Sequence, residues 1–438
     1  MPDLKSERFY AMKLNYKRTI LVGFAFFLIS AFWQAYDTIV PLILTNKFGM
    51  EQGYSGMIMS LDNIFAVILL PIFGTLSDKT KTPFGKRTPY IFVGTILAAA
   101  FFVILGYSGS LVWFILLLLA CLLSMATFRS PAVALMPDVT VKPLRSKGNA
   151  IINLMGTAGG MLVLGLGIVF KTNEVGKTDF SVYLISVAAV MIVALVVFIL
   201  TVKEPMWSSE AESENARLDR EKEKDEQTAP SVVRKLTRPE LTSLILILAS
   251  VALWYIGYNA VTSKYSVYAT EVLKVPYTVT LLVAQGAAIV SYIPVGIIAS
   301  KMGRKKTILA GVAMLTAAFA AASFIKEGTP AIVMYLLFCL AGIGWATINV
   351  NSFPMVVELA KGGDVGKYTG FYYTASMAAQ IVTPIFSGFL VQILGWWIFF
   401  PYAALFAGCA FVTMFFVKHG DAKPEAQGAL EALAGADD

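Results

Sequence analysis

The chain has 438 residues, 57% of them hydrophobic and only 14% charged. A soluble protein carries about 25% charged residues, and here the charges gather in blocks between long apolar runs, which excludes an ordinary soluble core. The net charge of +7 follows from those blocks and carries no nucleic-acid role.

Crossing the hydrocarbon core takes roughly 20 apolar residues. Windows of that size predict twelve spans: 19–44, 54–77, 89–108, 111–137, 146–170, 179–202, 239–271, 276–300, 306–325, 329–358, 366–393 and 396–417. The runs are continuous in hydrophobicity, so they are helices; barrel strands are about 10 residues long and alternate. The polar opening MPDLKSERFYAMKLNYKR has no signal-peptide pattern, and the first apolar run is too long for a signal segment. Of the 35 lysines and arginines, 28 fall in the two tails and in the loops near 78–88, 138–147, 203–238, 301–306 and 359–367. Five fall in the opposite loops (Lys47, Lys171, Lys177, Lys274, Lys326) and two inside spans (Arg129, Lys264). Basic loops stay on the cytoplasmic side. The expectation is a multi-pass protein of the plasma membrane, monomeric, with both termini cytoplasmic.

In chain order, span 1 carries Trp33, Tyr36 and Asp37, with Trp33 and Asp37 on one helical face. Span 2 carries Asp62, and its following loop reads GTLSDKTKTPFGKRTP, from Gly74 to Pro89, with Asp78, Lys86 and Arg87. Span 4 holds Arg129, whose fork suits a hydroxyl or a carboxylate, and ends at Asp138. The polar segment SSEAESENARLDREKEKDEQTAP reads as a solvated helix or disordered linker. It divides the chain into a six-helix bundle at 1–206, a linker at 207–238, a second bundle at 239–417 and a tail at 418–438.

Span 7 repeats the pattern of span 1 with Trp254, Tyr258 and Asn259, then adds Lys264. The loop after span 8, GIIASKMGRKK, echoes the loop after span 2 and supplies Arg304. Span 10 holds Trp345, Asn349 and Asn351 and ends near Glu358; span 11 holds Gln380. Mid-span amides line a cavity or bond another helix, and the aromatics suit the C–H face of a sugar. Trp396 and Trp397 read as interface anchors. Cys121, Cys339 and Cys409 sit in apolar runs without metal spacing. With one histidine, His419, and no P-loop or nucleophile elbow, the chain is expected to be no enzyme and to need no cofactor or metal. Two similar halves imply a pseudo-twofold axis along the membrane normal, with a site between them.

The signature at Gly74, Leu76, Ser77, Asp78, Gly85, Lys86 and Arg87 resembles the loop motif of the major facilitator superfamily. The inserted TKTPF followed by GKRTPY resembles the glycoside–pentoside–hexuronide:cation symporters and the sucrose–proton symporters, and RSPAVALMPDVT, Arg129 to Thr140, adds to the sucrose likeness. The second-half loop departs from the pattern by lacking an aspartate before Lys301. The resemblance implies an all-α membrane fold of two pseudo-symmetric six-helix bundles, with spans 1 and 7 facing each other. It implies a sugar-binding role for Arg129. It also implies a latch of Asp78, Lys86, Arg87 and Asp138 holding the outward-open state, with Arg304 and Glu358 as its partial copy.

At 1.5 Å per residue, Asp37, Asp62 and Lys264 all lie about 10–12 Å below the outer surface. An ionisable residue at such depth marks function. The expectation is one cluster of two carboxylates and an ammonium, neutralised by one proton or one sodium ion. The plainer reading is a static Asp37–Lys264 bridge with Asp62 capping nearby backbone. The function expected is a proton-coupled symporter of a small sugar or glycoside. Alternatives are a sodium-coupled sugar symporter, a proton-coupled exporter of drugs or metabolites, and a sugar sensor.

Overall fold

The computed structural model describes residues 14–225, 236–359 and 365–421. Inside a bilayer no water serves the backbone, so each apolar run must pair its own N–H and C=O groups, as a helix does. Among the described residues, twelve helical stretches are long and apolar enough to cross a membrane. The first is α1, Tyr16–Leu42, continued by a π-helical turn, Ile43–Lys47. The second is broken at Ser60 into α2, Gln52–Met59, and α3, Leu61–Lys79. There follow α4, Thr88–Gly106, α5, Leu111–Val139, α6, Arg145–Val169, and α7, Ser181–Thr201. A polar helix, α8, Glu204–Asp225, ends the first half. The second half comprises α9, Arg238–Thr262, α10, Tyr277–Met302, α11, Arg304–Ala322, α12, Ala331–Val357, α13, Val365–Leu394, and α14, Phe399–Phe415.

The helix starts follow from local chemistry. The Asn15 side chain accepts from Arg18 N at the head of α1, and Ser110 accepts from Trp113 N at the head of α5. Thr237 and Glu240 form a reciprocal capping box at the start of α9. Before α7, Asp179 accepts Ser181 N at 2.9 Å. That bond holds its carboxyl below the usual carboxylate range.

In the first half α1 packs on α6 and α7, and α4 on α5 and α7. In the second, α9 packs on α13 and α14, and α12 on α10 and α11. The halves meet through α2 against α13 and α6 against α10. We call the face bearing the 80–87 loop and α8 the basic face. On the opposite face the halves are fastened together. Tyr277 and Thr172 share a hydroxyl bond of 2.7 Å, Asn173 Nδ2 donates to Thr278 Oγ1 at 3.0 Å, and Gly53 N donates to Gln392 Oε1 at 3.0 Å. Glu271 accepts from Asn46 Nδ2 at 2.9 Å and from Gly176 N at 3.0 Å. Here α2 and α13 touch backbone to backbone. A Cβ on Gly56 would stand 1.9 Å from the Pro384 carbonyl oxygen, and one on Gly388 would stand 2.4 Å from that of Gln52. Only glycine permits this approach.

The polar segment after α7 is better ordered than its composition suggested. Trp207, Ala211 and Leu218 form a buried stripe on α8, and α8 packs on α5. Arg18 pairs with Glu210 at 2.5 Å, and Lys142 with Asp219 at 2.6 Å. The boundary drawn at 206/207 therefore falls within a helix docked on the first half. The rest of that segment, and the tail beyond 421, lie outside the described residues.

Candidate functional site

Three mid-span charges, Asp37, Asp62 and Arg129, act on one another on the first half's inner wall. Arg129 of α5 lies over the Trp33 ring, with Cζ 5.2 Å from the ring centroid. Its charge acts on both Asp37 of α1 and Asp62 of α3. The two carboxylates also act on each other. Asp62 Oδ1 accepts Asn63 N at 2.6 Å and Asn63 Nδ2 at 2.8 Å, an arrangement made possible by the break at Ser60, which places both residues in the first turn of α3. Asp37 accepts no hydrogen bond among the described residues. Trp33, Asp62, Phe65, Leu122 and Arg129 line a small recess beside it.

The second half presents an aromatic wall. Tyr258 of α9 stacks on Trp345 of α12, with centroids 3.6 Å apart and planes at 5°. Tyr255 meets the edge of the same indole. Tyr258 stands near enough for the Asp37 charge to act on its hydroxyl, so the site belongs to both halves. Between the walls Gln285 of α10 donates to Gln34 of α1 at 2.5 Å, with Gly160 of α6 beside both amides. Trp33 Nε1, Gln285 Oε1 and Asn349 Oδ1 are buried without a hydrogen-bond partner. Such atoms normally find one.

Several expected placements differ. Lys264 does not join Asp37 and Asp62; the cation that faces them is Arg129. Span 7 does not run unbroken to 271: α9 stops at Thr262 and Lys264 opens a new turn, Tyr265–Val267. The lysine is thereby turned toward α2, where its buried Nζ donates to the Gln52 carbonyl at 3.0 Å, inside the closed layer. Trp254 is wholly buried in the second half, its Nε1 without a hydrogen-bond partner. Tyr36 is also wholly buried, its ring edge-on to Trp33 at 5.3 Å, but its unpartnered hydroxyl stands near enough for the charges of Asp37 and Asp62 to act on it, so it stays with the site. Asn351 is buried and spends its amide on the Thr347 carbonyl of its own helix. Asn259 does likewise with Tyr255, though it stays half-buried. Gln380 is half-buried on α13.

The charges expected to form the latch fall into two networks, each inside one half. Arg87 donates from Nε to Asp138 at 2.8 Å and pairs with Asp78 and Ser77. Lys86 reaches Asp138 at 3.2 Å. Arg304 pairs with Glu358 in the second half. The residues expected to form a latch thus pair with one another, but the pairs brace each half and do not tie one half to the other.

Sequence reading passed over three residues. Gln34 and Gln285 are mid-span amides, the same signal that singled out Gln380. Glu204 is an acid at the very end of an apolar run. Its Oε1 accepts Lys86 N and Arg87 N, both at 2.8 Å, and its Oε2 accepts Thr88 N and Thr88 Oγ1, both at 2.7 Å. It therefore satisfies the open N–H groups at the head of α4.

The family model for the Major Facilitator Superfamily matches residues 22–361 and 277–435 in two overlapping stretches. An uncharacterized MFS-type transporter of Methanocaldococcus jannaschii is 24% identical over 385 residues, covering 86% of this chain and 89% of that one. A sucrose transport protein of Arabidopsis thaliana is 25% identical over 158 residues, 31% of this chain and 26% of that one. Among solved structures, a peptide transporter POT superposes with a TM-score of 0.68 at 14% identity, covering 92% of this chain and 93% of that one. The nucleoside transporter NupG gives 0.64 at 15%, covering 91% and 99%. At these identities the structures speak for the fold alone.

Proposed function

This chain belongs to the Major Facilitator Superfamily, a multi-pass membrane transporter, and from that premise we propose that it is a proton-coupled symporter of a small sugar or glycoside. The observation that carries the proposal is the pairing of Asp37, Asp62 and Arg129 on one wall with Tyr258 and Trp345 on the other. Fully ionised, the three charges sum to one negative, which a single proton removes. Asp62 is occupied by two Asn63 donors, so Asp37 is the group left to take up the proton. It is also the one beside Tyr258, where a bound solute would feel the change.

A sugar offers hydroxyls that both donate and accept, and C–H faces that pack on aromatic rings. Trp33 Nε1 is an unused donor, and Gln285 Oε1 and Asn349 Oδ1 are unused acceptors. An unpaired buried polar atom costs about 1–3 kcal/mol, which a hydroxyl in the site would return. The likeness to a sucrose transport protein supports the same reading. The fastened opposite face is then one end state of alternating access, with the site reached from the basic face. With basic loops inside, both termini are cytoplasmic, the membrane is the plasma membrane, and the unit is a monomer.

The test is uptake of a panel of labelled sugars into proteoliposomes. A pH gradient, acid outside, should drive accumulation of at least one sugar. Accumulation under a sodium gradient alone would replace the proton by sodium. No sugar moved under either gradient, with drug-like cations moved instead, would overturn the proposal.

A further inference from the structure

The second half carries a groove of about 740 Å³ on the side of α10 away from Gln285. Its walls are Val290 and Pro294 of α10 and Ala310 of α11, with Cys339 and Ile343 of α12 as its floor. That volume lies within the roughly 300–1,000 Å³ of small-ligand sites, yet the lining is apolar throughout. Its hydroxyls are already spent on their own helices: Ser291 donates to the Ala288 carbonyl at 2.8 Å, Thr307 to that of Gly303 at 2.8 Å and Thr347 to that of Ile343 at 2.7 Å. The walls offer a ligand methyl and methylene groups.

The mouth is different. Four cations stand between 301 and 306. Two are committed: Arg304 pairs with Glu358, and Lys305 donates to the carbonyls of Phe415 at 2.8 Å and Val417 at 2.5 Å. The other two are not. Lys306 lines the groove's basic end, and Lys301 stands one residue before Met302, another lining residue. Both are exposed, and neither has a hydrogen bond or ion pair among the described residues. From Lys306 to Met314 the α11 wall runs for about 12 Å at 1.5 Å per residue. That is close to one leaflet, half of a core roughly 30 Å thick.

We propose that this groove binds a phospholipid with an anionic headgroup, one acyl chain lying between α10 and α11 and the phosphate held by Lys306 and Lys301. Basic residues at the membrane surface favour anionic lipid, and the groove fixes that attraction at one place on the second half. The proposal is independent of the solute carried.

The test is lipid binding to the purified full-length protein in detergent, read as bound-lipid adducts by native mass spectrometry. Phosphatidylglycerol and phosphatidylcholine of equal chain length are titrated in parallel. Phosphatidylglycerol should bind about thirtyfold more tightly, the scale expected for two surface lysines. The double variant Lys301→Gln/Lys306→Gln should bind both lipids equally. Val290→Trp, at a position 74% exposed and so tolerant of change, should fill the groove and abolish the tight adduct with both lysines intact. Ala310→Trp is a second filling variant, and thermal unfolding of each protein checks its fold. Equal binding of the two lipids to the unmodified chain overturns the proposal. So does a preference that survives the double lysine variant, or one that survives both filling variants. Competition by free inorganic phosphate at equal concentration would make the mouth an anion site only, and would overturn it too.

Discussion

The first half meets the candidate site with Asp37, Asp62 and Arg129, while the second meets it with Tyr258 and Trp345, both neutral. On the function proposed, a proton arriving between the walls changes the charge of only one of them. The neutral wall can therefore hold the shape of a solute while the charged wall changes state. If the proposed function holds, energy coupling and solute fit are separable by half, and each half can be altered without rebuilding the other.

Four substitutions test that division. The largest effect is expected from Arg129→Gln, which leaves two carboxylates without their shared cation. Breaking a buried charge group is costly, and sugar affinity should fall on the order of 100-fold; Arg129→Lys should recover part of it. Equilibrium binding measures both, and an affinity within twofold of the original would remove Arg129 from the site. Next, Asp37→Asn fixes the charged wall in its neutral state. Exchange of sugar across the membrane should persist, and accumulation driven by a pH gradient should drop at least tenfold, about 1.4 kcal/mol of lost coupling. A variant that still concentrates sugar would shift the proton to Asp62. Third, Trp345→Ala removes the Tyr258 stack, a contact worth about 1 kcal/mol. KM should rise about fivefold with the pH dependence of uptake unchanged; a changed pH profile would show that the two walls are not separable. Smallest, Lys264→Met should alter sugar affinity by less than about twofold, because its ammonium touches a carbonyl and not the carboxylates. It should not rescue Asp37→Asn, and rescue would restore the Asp37–Lys264 pair to the mechanism.

The spans were legible because hydrophobicity accumulates over about 20 residues and needs no knowledge of neighbours. Asp37, Asp62 and Arg129 were legible for the converse reason: a charge stands out in an apolar run. Their partnership was not. Counting residues gives depth along a helix but not the direction a side chain takes around it. Lys264 matches Asp37 in depth, yet the break after Thr262 turns it to α2. Trp254 and Tyr258 are one helical turn apart, and hydropathy cannot tell the one packed wholly inside the half from the one that meets Asp37. The polar helix α8 was one of two readings of its segment; its docking was not legible, because three apolar residues among many charges, Trp207, Ala211 and Leu218, make it.

The bonds from Glu204 to residues 86–88 bear on how such a chain is made. On the ribosome, the head of α4 emerges more than a hundred residues before the acid that completes it, so the first six spans reach their finished form only once α8 has been synthesised. The head of α2 differs, because its Gly53 N is satisfied by Gln392 of the second half. The second half begins with a cap of its own, Thr237 with Glu240. The starts of α4 and α9 are thus completed within their own halves, whereas those of α2 and α10 are completed only when the halves dock, as Gly53 N meets Gln392 and Thr278 N meets Asn173.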